Sequence, residues 1–181
     1  MRNALIHTAR LAAFLLLCGH ATGAPAAPET EARAAAQRFV QEYLRYAGGP
    51  REHSAWLQQW AKTMTPNLAG LVEGALLADS KDACDGPPVL GGDMLTSLAE
   101  GPSAATIAHC SVSGPAAKCV VEYTHQEPRD PEPYRWKELI GLEKVGKTWL
   151  VSEYVQAESW RDELSLANKL KRAIRQASVC P

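Results

Sequence analysis

The feature that most constrains this chain is a change in the spacing of its apolar residues near Ala104. Beyond that point apolar residues tend to alternate with polar ones, in four segments at about 104–112, 117–125, 134–144 and 148–156. Such alternation is typical of strands with one buried face. Short connections join the segments, at 113–116, 126–133 and 145–146. Strands joined in this way pair antiparallel, so we predict a four-stranded meander.

Before this point the apolar residues recur at helical spacing. The pattern predicts a helix at about 30–46, a short helix after Ser54 and a third helix after Thr65-Pro66, where the proline suits the first helical position. A last helix is predicted at about 165–177. The expected class is therefore α+β, with N-terminal helices packed on a curved, cone-like antiparallel meander sheet and a C-terminal helix.

The N-terminus has the pattern of a secretory signal peptide. Arg2 and Arg10 precede an apolar run at 11–18, which is too short to span a bilayer, and small residues follow. We predict a signal peptide at 1–23, a linker at 24–29 and a single domain at 30–181. Cleavage after Ala26 is an alternative. The expected location is periplasmic or secreted, with no transmembrane segment after signal removal.

The cysteine count depends on this cleavage. Cys18 leaves with the signal peptide, and the bulky Leu17 before it disfavours the alternative of a lipoprotein. An even number of cysteines in an exported chain favours two disulfides. The four that remain are Cys84, Cys110, Cys119 and Cys180.

Register favours one disulfide pairing. If Gly114-Pro115 centres the first turn, Cys110 lies opposite Cys119, which leaves Cys84 to pair with Cys180. Opposed cysteines are within disulfide reach only at non-hydrogen-bonded pairs, so the pairing is conditional on that geometry. The same register places Thr106 opposite Tyr123, and the next loop places Tyr123 opposite Trp136 and Val121 opposite Glu138.

The strongest candidate for chemistry is a pair of carboxylates. A turn at 145–146 would place Glu138 beside Glu153 on the apolar face, where two close carboxylates repel and one could hold a proton near neutral pH. Tyr123 and His125 would lie on the same face. The competing interpretation is that one of the two glutamates sits at an open rim or pairs with an arginine from a helix.

Four further residues are candidates for binding: Trp56, Trp60, Asp93 and Trp136. The first two are spaced i, i+4 and would share a helix face, where they would line a ligand entrance or pack in the core. Asp93 would project from a glycine-rich loop or cap a turn. Core packing is the competing interpretation for Trp136.

Composition and motifs exclude several functions. The chain has 19 basic and 20 acidic residues, and cleavage removes two arginines and no acid, which argues against a nucleic-acid binder. There is no C-x-x-C and no histidine spacing suited to zinc, so we expect no metal and no cofactor. No P-loop, dinucleotide fingerprint or nucleophile elbow is present. A basic stripe on the last helix and the proline-rich loop at 126–133 are exposed surfaces that could contact a partner.

Certain segments resemble the nuclear transport factor 2-like superfamily, in its uncharacterised secreted bacterial branch. The segment 142–151 looks like the final hairpin of that fold, and Thr65-Pro66 before a leucine-rich helix, followed by Gly92-Asp93, looks like the secreted branch. The resemblance covers roughly 30–176. This chain differs from the family pattern in its four mature cysteines and its proline-rich loop. It implies a cone-shaped fold that hosts isomerases, dehydratases, ligand-binding proteins and partner-binding modules.

The predicted function is therefore an exported, non-enzymatic binding module for a protein partner or a small apolar ligand. Its specific version is an immunity-type inhibitor of an envelope toxin. The alternative is a small lyase or isomerase with a carboxylate base in the cone pocket, assisted by Tyr123 or His125. Leu139 and Leu150, on the open face of the predicted sheet, leave room for a homodimer.

Overall fold

A computed structural model describes residues 27–47, 53–80, 101–129, 131–156 and 165–177. Within these ranges the elements are α1 (Pro28–Ala47), α2 (His53–Ala61), α3 (Pro66–Ser80), β1 (Ala104–Ser113), β2 (Ala116–His125), β3 (Tyr134–Val145), β4 (Thr148–Val155) and α4 (Leu166–Ala177). The predicted α+β class is confirmed. The predicted signal peptide, Asp93, and the Cys84–Cys180 pair lie outside the described residues.

Helices α3 and α4 each begin next to a residue whose side chain caps the helix. The Thr65 hydroxyl oxygen accepts a hydrogen bond from the Leu68 N–H at 3.4 Å, and Pro66 occupies the first position of α3. At α4 the Ser165 hydroxyl accepts from the Asn168 N–H at 3.3 Å. Both caps satisfy backbone donors that the first helical turn leaves without a partner.

The four strands form one antiparallel sheet in the order β1-β2-β3-β4, and the sheet is not closed into a barrel. The turn between β3 and β4 lies one residue further along the chain than predicted. Val145 pairs with Thr148, so Gly146 and Lys147 form the turn, and Gly146 has a φ of 62°. That left-handed conformation favours glycine, which has no Cβ to clash with the following carbonyl group.

The predicted register is confirmed in the middle of the sheet. Cys110 pairs with Cys119 and the two form a disulfide, with their Cα atoms 4.0 Å apart. Tyr123 pairs with Trp136, and Val121 pairs with Glu138.

Beyond these pairs, one bulge in each outer strand shifts the register. Ala108 is the extra residue in β1, so Ala105 pairs with Tyr123 and the predicted pairing of Thr106 with Tyr123 is wrong. The Arg33 guanidinium of α1 reaches this bulge and donates to the Ile107 carbonyl at 2.6 Å and to the Ala108 carbonyl at 3.3 Å. A charged donor from a distant helix therefore stabilises carbonyl groups at the bulge.

The second bulge lies in β4. Leu142 pairs with Val151, whereas the preceding Gly141 pairs with Glu153, so Ser152 is the extra residue. A single extra residue exchanges the faces of every residue after it. As a result Tyr154 points into the core and is 1% exposed.

The core lies between the inner face of the sheet and the helices. Residues of α1 at helical spacing face the sheet and are buried: Ala32, Ala35, Ala36, Phe39, Val40 and Tyr43. The edge of β4 is also covered, because the Thr65 N–H donates to the Val151 carbonyl at 2.8 Å and the Val151 N–H donates to the Thr63 carbonyl at 2.9 Å. This cover prevents β4 from presenting a free edge at that point.

Candidate functional site

An ionisable side chain lies at the centre of the core. Glu138 is 0% exposed, and its carboxylate accepts a hydrogen bond from the Trp136 indole N–H at 3.0 Å and another from the Tyr154 hydroxyl. The hydroxyl oxygens of Tyr154 and Tyr123 lie 3.0 Å apart. These four side chains are called the Glu138 cluster below. A buried carboxylate is tolerated only when such donors replace the water it has lost.

Two local features assemble the Glu138 cluster. Alternation along β3 places Trp136 and Glu138 on the inner face, and the β4 bulge turns Tyr154 onto that same face. Trp136 stacks on Tyr123 with ring centroids 5.3 Å apart, and the exposed Tyr134 stacks on Trp136 at 5.4 Å. Tyr123 is 0% exposed, so these aromatic rings separate the carboxylate from solvent.

The predicted carboxylate pair does not form. Glu153 pairs with Gly141, which lies on the outer face, whereas Glu138 lies on the inner face with Ile140. The pairing of Glu138 with Glu153 is therefore wrong, because the β4 bulge and the displaced turn change the register. Tyr154 occupies the core position near Glu138 that Glu153 was expected to take.

Glu153 instead binds the start of α4. Its carboxylate accepts from the Tyr154 N–H at 2.8 Å and from the Ala167 N–H at 3.3 Å. Burial raises the pKa of Glu153 above its ordinary value, and hydrogen bonds from Ala167 and Ser165 and the charge of Lys171 oppose part of that rise. The carboxylate thus acts as a helix cap in a partly desolvated position.

His125 contacts two residues that lie just outside the strands, before β1 and after β2. Its Nδ1 lies 2.8 Å from the Gly101 carbonyl oxygen, so Nδ1 carries the proton and donates, and its Nε2 lies 3.3 Å from a Glu127 carboxylate oxygen. Pairing in β2 places it on the same face as Tyr123, as predicted, at the end of the strand. Both ring nitrogens contact neighbouring groups of the chain.

The predicted binding tryptophans are buried. Trp56 and Trp60 are 5% and 0% exposed and stack on each other with centroids 4.9 Å apart. The Trp56 indole N–H donates to the Glu42 carbonyl at 2.9 Å. Trp136 is 9% exposed and belongs to the Glu138 cluster. All three rings therefore contribute to the core.

An open recess lies elsewhere, between α1 and the β3–β4 hairpin. It has a volume of about 410 Å³ and is called the α1–hairpin groove. Its walls are formed by Thr30, Glu31, Ala34, Arg38, Lys147, Thr148 and Trp149. Sequence reasoning missed this groove because its two walls are more than 100 residues apart in the chain, and no local pattern connects them.

One ion pair borders the groove. The Lys144 ammonium lies 3.2 Å from the Glu31 carboxylate and 5.5 Å from the centroid of the Trp149 ring. This contact joins the helix to the hairpin and orients the ammonium over an aromatic face, where the ring quadrupole attracts it. The groove walls are thereby held together by a contact that spans the two elements.

The described ranges contain no group of three or more His, Cys, Asp and Glu side chains placed to hold a metal ion. None of the helices in these ranges combines the length and the apolar character needed to cross a membrane.

Comparisons with protein-family models, curated proteins and solved structures found no match for this chain. The resemblance to the nuclear transport factor 2-like superfamily therefore stays a prediction. The fold and the site define an α+β protein with an enclosed cluster around Glu138 and an open groove whose lining includes Arg38 and Lys147.

Proposed function

We propose that this chain is an exported, non-enzymatic binding module for a protein partner or a small ligand. The observation that carries the proposal is the contrast between its two candidate sites. The Glu138 cluster is enclosed, whereas the α1–hairpin groove is open and presents charged and polar side chains. Ligand recesses in proteins commonly have volumes of about 300–1,000 Å³, a range that includes this groove.

The enclosure of the Glu138 cluster weighs against the lyase or isomerase alternative. A general base must come within hydrogen-bond reach of the proton it removes, about 2.6–3.2 Å between heavy atoms. Glu138 and Tyr123 are 0% exposed and Tyr154 is 1% exposed, so a substrate would have to displace core aromatic rings to reach the carboxylate. Glu153 is engaged at the start of α4 and lies on the other face of the sheet.

Export is supported by the signal-like N-terminus and by the Cys110–Cys119 disulfide, because such bonds persist in oxidising compartments. The test is to express the full chain in a bacterial host and to determine the mass of the protein in the periplasmic fraction. Cleavage before Ala24 or after Ala26, with the disulfide intact, is the expected result. An uncleaved protein with free thiols in the cytoplasm would refute export.

Binding is tested by quantitative capture from envelope extracts. The wild-type protein is compared with Arg38→Glu/Lys147→Glu, which reverses two charges in the groove. The matched control is Lys118→Glu/Arg135→Glu, which makes the same charge change at exposed positions on the outer sheet face. A partner retained by the wild type and the control but lost by the groove variant supports the proposal. Identical capture by all three proteins contradicts the assignment of binding to this groove.

The specific version of the proposal is inhibition of a toxin delivered to the envelope. The captured protein is then purified and its toxicity measured with and without this chain. Loss of toxicity on addition of the wild type, with retained toxicity on addition of the groove variant, is the expected outcome for an immunity-type inhibitor. A captured partner without toxicity would exclude that version and leave the binding function intact.

A further inference from the structure

The α1–hairpin groove is rich in hydrogen-bond donors. Arg38 and Lys147 line it, both side chains are exposed, and neither makes an ion pair or a hydrogen bond with another of the described residues. Arginine and lysine offer donors and no acceptors. The hydroxyl groups of Thr30 and Thr148 can donate as well. The complementary ligand is therefore one with many acceptors and a negative charge.

A second, independent observation concerns Trp149. Its side chain lines the groove and is 3% exposed, and its indole nitrogen is buried without a hydrogen-bond partner in the described part of the chain. Leaving a buried donor unpaired destabilises a fold, because the donor has lost its hydrogen bond to water. Within the described residues, Trp149 therefore combines a ring that lines the groove with a buried indole donor that has no acceptor.

The acidic residue in the groove discriminates among anions. Glu31 lines the wall with its carboxylate bound to Lys144 at 3.2 Å, so one negative charge is fixed beside the two cations. A dense polyanion such as a nucleic acid would place phosphates next to that carboxylate and be repelled. A polypeptide separates its carboxylates with amide groups, whose N–H donors suit a carboxylate acceptor.

We propose that the α1–hairpin groove binds an acidic segment of a polypeptide, with Arg38 and Lys147 pairing with its carboxylates. This inference rests on the proposed binding function and specifies the chemistry of the partner. The carboxylates lie between helix and hairpin, next to the Trp149 ring that lines the groove. The Lys144–Glu31 ion pair keeps α1 and the hairpin at a distance that admits the segment between them.

The experiment is an NMR titration of the mature protein, with acetylated and amidated hexaglutamate as the probe. The chain has five tryptophans, so the ¹H–¹⁵N indole resonances are few, and Trp149→Phe identifies the resonance of interest. The expected result is a saturable shift of the Trp149 indole resonance that weakens as salt is added, because ion pairs at the surface are screened. The hexaglutamine analogue and inorganic phosphate are the comparison ligands, and both are expected to produce smaller shifts.

Charge-reversal variants locate the site. Arg38→Glu/Lys147→Glu is expected to weaken hexaglutamate binding by at least about tenfold, because two attractions become two repulsions. The control Lys118→Glu/Arg135→Glu changes net charge equally and is expected to change binding less than about threefold. Equal weakening in both variants would attribute binding to net charge and overturn the proposal. An unmoved Trp149 resonance, or a phosphate response as strong as the peptide response, would overturn it as well.

The two proposals fail in different ways. If hexaglutamate does not bind but the groove variant still loses its envelope partner, the binding function stands and the acidic-segment inference is wrong. If neither the peptide nor any envelope partner depends on the groove, the acidic-segment inference and the assignment of binding to this groove are both wrong.

Discussion

Removing one donor from the Glu138 cluster should destabilise the fold by a measurable amount. In Tyr154→Phe, the buried carboxylate loses the hydroxyl that donates to Oε2 and keeps the Trp136 indole at Oε1. Leaving a buried hydrogen-bonding group unsatisfied costs about 1–3 kcal/mol, because burial removes the solvent that would otherwise replace the lost partner. We expect a loss of about 2 kcal/mol in the free energy of unfolding. With an m-value near 2 kcal/mol/M, the urea midpoint falls by about 1 M.

Removing the carboxylate instead takes an acceptor from both of its donors. In Glu138→Leu, the Trp136 N–H loses its buried acceptor, at about 1–3 kcal/mol, and the Tyr154 hydroxyl keeps only the Tyr123 oxygen 3.0 Å away. Loss of the desolvated carboxyl group offsets part of this cost. The double variant Glu138→Leu/Tyr154→Phe removes both the acceptor and one of its donors. We therefore expect it to be more stable than the sum of the single changes implies, by at least about 1 kcal/mol.

The assay is urea unfolding followed by tryptophan fluorescence, with the disulfide kept intact. Tyr134→Phe is the control, because it removes a hydroxyl from a side chain that is 55% exposed and should change the unfolding free energy by less than about 0.5 kcal/mol. If the costs of Glu138→Leu and Tyr154→Phe add within about 0.5 kcal/mol, the two groups are not energetically coupled and the described network is refuted.

Three further predictions concern stability. Burial raises the pKa of Glu153 above its ordinary value of 4.5, so the folded protein keeps a proton that the unfolded chain releases. The contribution of Glu153 to the free energy of unfolding is therefore largest below pH 4.5 and falls as the pH rises through the folded-state pKa. Glu153→Gln should flatten this dependence, and an unchanged slope of urea midpoint against pH would contradict the reasoning. Arg33→Met should cost about 1 kcal/mol and speed hydrogen exchange at the β1 bulge. The exposed Arg38→Met, on the same helix, is its control, and equal effects would count against the bulge contact. Cys110→Ala/Cys119→Ala should lower the unfolding free energy by about 2–3 kcal/mol, because the bond closes a loop of sequence separation 9. An unchanged urea midpoint would exclude that contribution.

The central part of the sheet was predictable because its signals are local. Alternation in β2 and β3, and the turn between β1 and β2, give the observed pairs Cys110–Cys119 and Val121–Glu138. The disulfide follows from the same register. Helical spacing and the Thr65-Pro66 cap likewise located α1 and α3, since capping residues act within one turn of the helix that they begin.

The candidate sites depended on contacts between distant segments. The sequence alone determined the order of helices and strands, the inner face of the central strands and the placement of Glu138 on it. Only the tertiary structure decided that Tyr154 rather than Glu153 serves the core, and that α1 meets the hairpin to form a groove. The physical reason is that the alternation of apolar and polar residues does not reveal where a strand contains an extra, bulged residue. Bulges persist where remote groups bind the displaced backbone, as the Arg33 guanidinium does at β1.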